Sequence, residues 1–155
     1  MTVAARAILV EFDARRLDEL IHMWRASFEA GVGVIDPHPL SEQRQYFLTE
    51  VLPRNIVCVA IHADALVGFI AASAESVAQL YVRVGCQRRG VGAQLLTWAK
   101  ERSTGKLWLY TYARNLGARA FYERNGFVAI AHGFEPMLQL DDIKYQWTVG
   151  THNAA

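Results

Sequence analysis

The sequence predicts an α/β (α+β) fold: a mixed, mostly antiparallel sheet of about seven strands with about four helices on its faces. Three observations predict it. NIVCVAIH, ALVGFIAA and SVAQLYVRV stand one after another between Asn55 and Val84 with only short turns between them, the pattern of an antiparallel meander. From Gly90 the apolar spacing changes from period two to helical, and LWLYTY follows the break at Gly105, giving a strand, helix, strand unit. Two further strand-like runs close the chain: FVAIAHGF after Gly126, and the alternation of Ile143, Tyr145, Trp147 and Val149.

Each element has its own local reason. Ala5 to Phe12 reads as a strand, and Asp13 is placed to cap a helix in which Leu17, Leu20, Ile21, Trp24 and Phe28 recur at helical spacing up to Gly31. GVGVIDPHPL, Gly31 to Leu40, is an irregular loop. Ser41 is then placed to cap a second helix that stops at Pro53. The meander turns at Ala63-Asp64 and near Glu75. In the third helix Val91, Leu95, Trp98 and Ala99 share one stripe, and the fourth runs from Leu116 to Arg124 behind Asn115, a good N-cap residue. Residues 1–150 are expected to form a single domain and 151–155 a short C-terminal tail.

Composition narrows the function. A chain of 155 residues with 52% apolar and 20% charged residues is one ordinary domain, and a net charge of +1 with no basic stripe speaks against nucleic acid as a partner. Cys58 and Cys86 lack CxxC or Cys/His spacing, so free thiols are expected and no metal site. No signal-peptide pattern and no apolar run of about 20 residues is present, so a cytoplasmic protein without a membrane contact is expected.

The most informative stretch is QRRGVGAQLL, Gln87 to Leu96. The first amides of a helix have no intrahelical acceptor, and the macrodipole adds positive charge at the same end. Gly90 and Gly92 keep side chains out of the way, while Gln87, Arg88 and Arg89 can donate from the turn before the helix. A phosphate or diphosphate fits there. A tight strand-to-helix connection would use the same glycines. No GxxxxGK[ST] loop and no GxGxxG with a following acidic residue is present, so ATP and dinucleotide sites lack their parts. Downstream, NLGARAFYERNGF places Asn115, Ala118 and Tyr122 on one helix face, where a ligand can lie alongside. A boundary tyrosine packed by its ring would show the same spacing.

LYVRVGCQRRGVGAQLL resembles the acyl-CoA-binding segment of the GNAT superfamily of N-acetyltransferases, and NLGARAFYERNGF resembles the segment that follows it there. The resemblance covers roughly residues 55 to 134 and implies the GNAT-like fold. It implies that Gln87, Gly90 and Gly92, with Arg88, Arg89, Val91 and Ala93 alongside, meet the diphosphate of coenzyme A. Leu80, Tyr81 and Val82 would run beside the pantetheine arm. Asn115, Ala118 and Tyr122 would contact the cofactor, with Tyr122 near the thioester sulfur. The implied function is N-acetyltransfer from acetyl-CoA to a primary amine, on a small molecule or a peptide, by direct attack in a ternary complex.

Amide formation needs a free-base amine, a donor to the developing oxyanion and a proton for the departing thiolate. Tyr122 can serve the thiolate, and a backbone amide between Leu80 and Val82 the oxyanion. The base is open. Family members often carry a glutamate on the strand where Ala78 and Gln79 stand here; Glu75 is the nearest carboxylate, and Tyr110, His22 and His38 are further choices. That gap keeps a non-catalytic acyl-CoA binding or sensing module as the alternative. The implied acceptor side comprises the Gly31–Leu40 loop, with Trp24 and Phe28 near it, and the stretch from Phe134 to Asp142. Glu135, Asp36, Asp141 or Asp142 could hold an ammonium there. The final alternating strand with Trp147 suits a homodimer contact as well as a core.

Overall fold

A computed structural model describes residues 6–150, so Ala5 of the expected first strand and the tail 151–155 lie outside the described residues. Strands β1 (Ile8–Glu11), β2 (Ile56–His62), β3 (Ala65–Ala72) and β4 (Val77–Val82) pair antiparallel in chain order. Strands β5 (Lys106–Tyr112), β6 (Val128–Glu135) and β7 (Leu140–Thr148) form a second antiparallel sheet in the order β5-β7-β6. The seven strands are therefore divided between two sheets. Their parallel join is a single bridge between Ser76 and Trp108, where the Trp108 amide donates 3.1 Å to the Glu75 carbonyl. Among the described residues that ladder goes no further, so β4 and β5 part beyond it.

The continuous apolar run in β3 is explained by burial on both faces: Val67, Ile70 and Ala72 enter one core, and Leu66, Phe69 and Ala71 the other. The second core belongs to α1 (Leu17–Val32), which buries Leu17, Leu20, Ile21, Trp24 and Phe28 as its spacing predicts. Asp13 caps the chain's entry, its carboxylate accepting from the Arg15 amide at 2.9 Å, but a single 3-10 turn, Ala14–Arg16, precedes the helix. The helix also runs past Gly31. Its left-handed cap is Gly33, at φ 77°, whereas a Cβ on Gly31 would stand 2.9 Å from Asn115 Nδ2. Gly31 thus marks a close approach between elements and not a break.

Helix α2 (Leu40–Tyr46) starts at Pro39, whose carbonyl accepts from the Glu42 and Gln43 amides, and not at Ser41. It continues through a wider π turn, Phe47–Val51, and a 3-10 turn, Leu52–Arg54. Ala63 and Asp64 both take left-handed φ, 50° and 63°, as a two-residue hairpin turn of this twist requires.

The first core lies under α3 (Val91–Arg102), which buries Val91, Leu95, Leu96 and Ala99. Gly68 on β3 lets it sit close, since a Cβ there would be 3.1 Å from Val91 Cγ1 and 3.2 Å from Leu95 Cδ1. Trp98 is only partly buried at the edge of that packing. Helix α4 (Leu116–Arg124) leads into β6, and from β7 the side chains of Ile143, Tyr145 and Trp147 all face this core. Ile143, Tyr145 and Trp147 of that alternation thus pack the core, while Val149 beyond them is exposed. Among the described residues no helix is long and apolar enough to cross a membrane.

Candidate active site

The opening between β4 and β5 has a defined edge. The Arg83 amide donates 2.7 Å to the Val67 carbonyl on β3, and alternation along an antiparallel strand turns the amide and carbonyl of Val82 the other way, toward the gap. There the Val82 carbonyl accepts from Ser27 Oγ at 2.7 Å and from Gln87 Nε2 at 3.0 Å. Gln87 also takes a hydrogen bond from the Gly85 amide through Oε1, at 3.0 Å. Its side chain is therefore a strut within the β4–α3 turn, while Arg88 and Arg89 are exposed.

Arg88 and Gly90 both adopt left-handed φ, 66° and 85°, the alternation that turns backbone amides into an anion-binding concavity. A Cβ on Gly90 would meet nothing within 4 Å, so the cradle is open above it. In α3 the Gln94 amide donates to the Gly90 carbonyl at 2.9 Å; the amides of Val91, Gly92 and Ala93 precede that bond and face outward. Amides, macrodipole and two arginines make a donor set that fits a diphosphate. Gly92 has a further reason to be glycine: a Cβ would lie 3.1 Å from Phe121 Cζ, so the α3–α4 approach depends on it.

On α4, Asn115 Oδ1 accepts from the Ala118 amide at 3.1 Å, the expected N-cap, and its amide group packs on Gly31. Tyr122 is 7% exposed, its ring against Phe121, Phe127 and Tyr145. Burial pushes its phenol far up, with Tyr81 adding to the effect, so it stays protonated near neutral pH. No hydrogen-bond partner for its hydroxyl is seen among the described residues.

A cavity of about 640 Å³ adjoins this edge. Ala78, Gln79 and Tyr81 of β4 and Tyr110, Thr111 and Tyr112 of β5 form one side, and Trp24 and Phe28 of α1 another. Asp36, His38, Glu42 and Tyr46 close it from the α1–α2 segment, and Glu135, Met137, Leu138 and Asp142 from the β6–β7 hairpin. Trp24, Phe28 and Glu135 are thus brought together, although Trp24 and Phe28 are also core residues at 6% and 8% exposure. Glu135 has a second job, accepting from the Met137 and Leu138 amides at 2.9 and 2.7 Å. Asp36, Asp142, His38 and Tyr110 join them. Asp141 and His22 do not line the cavity.

Glu75 lies elsewhere. It is exposed in the turn before β4, its amide on Ser73 Oγ at 3.3 Å and its carbonyl on Trp108. That is the closed end of the β4–β5 gap, away from Val82, and Glu75 is not among the cavity walls. Glu42, Tyr46 and Tyr112 escape sequence reading, whereas Met137 and Leu138 lie within the expected stretch from Phe134 to Asp142. Of the first three only Tyr112 had a usable signal, as the last residue of LWLYTY on the strand beside the gap.

The cavity walls carry four carboxylates, Asp36, Glu42, Glu135 and Asp142, and no lysine or arginine. Their field registers on Tyr112, whose phenol is pushed up to about 12 by burial first and then by Glu135, Asp142 and Asp36. Burial alone would raise the Asp36 carboxyl as well. Hydrogen bonds from the His38 amide and ring, together with the Arg25 charge, outweigh it and hold Asp36 below its usual range. A cation is the complementary guest.

A family model described as an acetyltransferase (GNAT) domain matches residues 53–129. No curated protein sequence matches the chain significantly. Among solved structures, apo YjaB from Escherichia coli superposes with a TM-score of 0.76 at 19% identity, covering 92% of this chain and 98% of its own. The PaiA N-acetyltransferase from Thermoplasma acidophilum, in complex with coenzyme A, gives 0.73 at 18% identity over 93% and 99%. A GNAT superfamily phosphinothricin acetyltransferase from Sinorhizobium meliloti, in complex with acetyl-CoA, gives 0.73 at 22% identity over 97% and 92%. With that family match across its central elements and that fold along most of its length, the chain belongs to the GNAT acetyltransferases.

Proposed function

We propose that the protein transfers an acetyl group from acetyl-CoA to a primary amine, of a small molecule or a peptide amino group, by direct attack in a ternary complex. The observation that carries this reading is the junction of two unlike sites at one strand edge. The donor-rich β4–α3 turn suits a diphosphate, and the acidic, aromatic cavity beside it suits an ammonium. The bound cofactor would supply an activated acetyl thioester.

In this reading Arg88, Arg89 and the amides from Gly90 to Ala93 hold the diphosphate. The backbone of Leu80 to Val82, along the open edge, guides the pantetheine arm, with Asn115 and Ala118 on its other side. The Val82 amide shares the edge with a carbonyl fixed by Ser27 and Gln87, so it is a preorganised donor for an acetyl oxygen. Tyr122, neutral and buried, gives a proton toward the sulfur. Trp24, Phe28 and Glu135 shape the acceptor site, and placing the amine beside the thioester supplies much of the acceleration.

The test is coenzyme A thiol release from acetyl-CoA across a panel of polyamines, amino acids, aminoglycosides and peptides with free N-termini. Release with at least one class, and product mass increased by one acetyl group, is the expected result. Tight acetyl-CoA binding with no release from any amine would instead favour the non-catalytic acyl-CoA sensing module that Gln79, in place of a carboxylate, keeps open.

A further inference from the structure

We propose that His38, held by Asp36, is the general base that takes a proton from the acceptor's ammonium group; the assignment rests on the acetyl-transfer reading above. The ring sits in the segment Asp36-Pro37-His38-Pro39, where prolines on both sides restrict the backbone. One atom pins both ring and chain: Asp36 Oδ1 lies 2.7 Å from His38 Nδ1 and accepts from the His38 amide at 2.9 Å. Arg25 fixes the segment from α1, donating through Nη2 to the His38 carbonyl at 2.6 Å and through Nε to Gln43 Oε1 at 2.8 Å. The Asp36 amide in turn donates to Glu29 Oε2 at 2.8 Å.

A carboxylate on Nδ1 selects the tautomer protonated there, which leaves the lone pair on Nε2. His38 lines the acceptor cavity together with Gln79 and Tyr81 of β4. Its side chain is 37% exposed, so a proton received there has a path to water. Around the ring on its own side are Asp36, Arg25 and Glu29, with Glu42 and Tyr46 from α2. Across the cavity stand Glu135 and Asp142 and the phenols of Tyr81, Tyr110 and Tyr112. Two of the carboxylates are already engaged, Asp36 by the His38 amide and ring and Glu135 by the Met137 and Leu138 amides, and the phenols of Tyr81 and Tyr112 are held protonated by burial. Gln79 has no basic site at all.

The proton balance closes. Nε2 takes one proton from the ammonium. The freed lone pair forms the N–C bond to the acetyl carbon as the C–S bond breaks, and the second surplus proton on nitrogen leaves with the sulfur as thiol. The imidazolium then returns its proton to solvent.

Two measurements test the assignment. Long-range ¹H–¹⁵N spectra of the wild-type protein are expected to show neutral His38 protonated at Nδ1, and Asp36→Asn to abolish that preference. With acetyl-CoA and the same amine panel, His38→Gln is expected to lower kcat/KM for amines at least ~100-fold near neutral pH. The deficit should shrink to below about tenfold toward pH 10, where amines shed the proton unaided. Affinity for acetyl-CoA should stay within about twofold, and His22→Gln, on an exposed residue outside the cavity, should match wild type. A wild-type-like rate for His38→Gln, a deficit equal at every pH, or an Nε2-protonated ring would each overturn the proposal. A wild-type protein that releases thiol with no amine fails differently: it overturns the acetyl-transfer reading and this assignment with it.

Discussion

Ser27 Oγ donates 2.7 Å to the carbonyl of Val82, linking the middle of α1 to the last residue of β4. Ser27 is a polar residue in an otherwise apolar face, 7% exposed, and its partner is a strand carbonyl that neighbouring strands leave unpaired where the two sheets part. Gln87 reaches the same carbonyl from the other side. The edge of the gap is thus held by side chains in place of a sheet ladder, and the direction of the Val82 amide follows from it.

Removing that hydroxyl by Ser27→Ala leaves the carbonyl one donor, Gln87, so the loss of stability is set near the net worth of a hydrogen bond, about 1 kcal/mol. Thermal unfolding should move down by about 2–4 °C. Because the edge loosens, kcat should fall more than the affinity for acetyl-CoA. The double variant Ser27→Ala/Gln87→Ala, which strips both donors from a carbonyl facing the gap, should lose more than the two single losses added together. Additive losses in a double-mutant cycle would show that the two contacts act independently.

Arg88 gives opposite answers to stability and to binding. Its φ of 66° is a strained conformation for a side-chain-bearing residue, yet it contributes charge to the anion cradle. Arg88→Gly should therefore raise thermal stability, by up to about 1 kcal/mol, and weaken coenzyme A binding several-fold or more. Arg88→Glu/Arg89→Glu should weaken it more than tenfold, with the difference from wild type shrinking as salt rises. Calorimetry at two ionic strengths checks both. Charge reversal without effect on affinity would remove the diphosphate from this turn.

Gly92 separates packing from ligand contact. An added methyl would stand 3.1 and 3.2 Å from two ring atoms of Phe121, so Gly92→Ala should push α4 away from α3 and destabilise the fold by about 1–3 kcal/mol. Phe121→Leu, which shortens the obstructing group, should recover part of the loss in the double variant. Gly90→Ala meets no neighbour, and its cost is the left-handed backbone alone, roughly 1–2 kcal/mol. Chemical denaturation of the four variants orders these effects.

The glycines, the strand periods and the helical stripes were legible because each is a local demand written into neighbouring residues. Gly90 precedes an apolar stripe, Ala63-Asp64 separates two apolar runs, and Leu17 to Phe28 repeats at helical spacing. Three features were not local. Gly31 looked like a helix end because its partner, Asn115, is far along the chain. Pro39 caps α2 ahead of Ser41 through its backbone carbonyl, which accepts from the Glu42 and Gln43 amides and which no sequence pattern reveals. The acceptor cavity is assembled from five separated segments, so Glu42 and Tyr46 carried no signal of their own, and Glu75 is close to the gap in sequence but sits at its closed end. DPHP was visible as a loop, and only the fold shows its histidine and aspartate paired against the cavity.

The tyrosines around the gap make stability and chemistry respond to alkali in separable ways. Burial pushes the Tyr81 phenol up to about 12, the Trp24 side chain opposing it, and burial with the nearby carboxylates does the same at Tyr112. Tyr122 is shifted the same way by burial. Unfolded tyrosine ionises near 10, so between about pH 10 and 12 the folded protein binds more protons than the unfolded chain. Their contribution to stability is complete below pH 10 and declines as pH rises through that window. Tyr112→Phe should flatten the decline measured by denaturant titration from pH 9 to 12. Tyr122→Phe should do so too, and it separates structure from catalysis further. Its hydroxyl has no protein partner to lose, so stability at neutral pH should change by less than about 0.5 kcal/mol and acetyl-CoA affinity by less than about threefold. Thiol release should slow by at least ~100-fold if the phenol protonates the departing sulfur. Unchanged kcat in a stable, cofactor-binding Tyr122→Phe protein would take that proton away from Tyr122 and leave it to solvent.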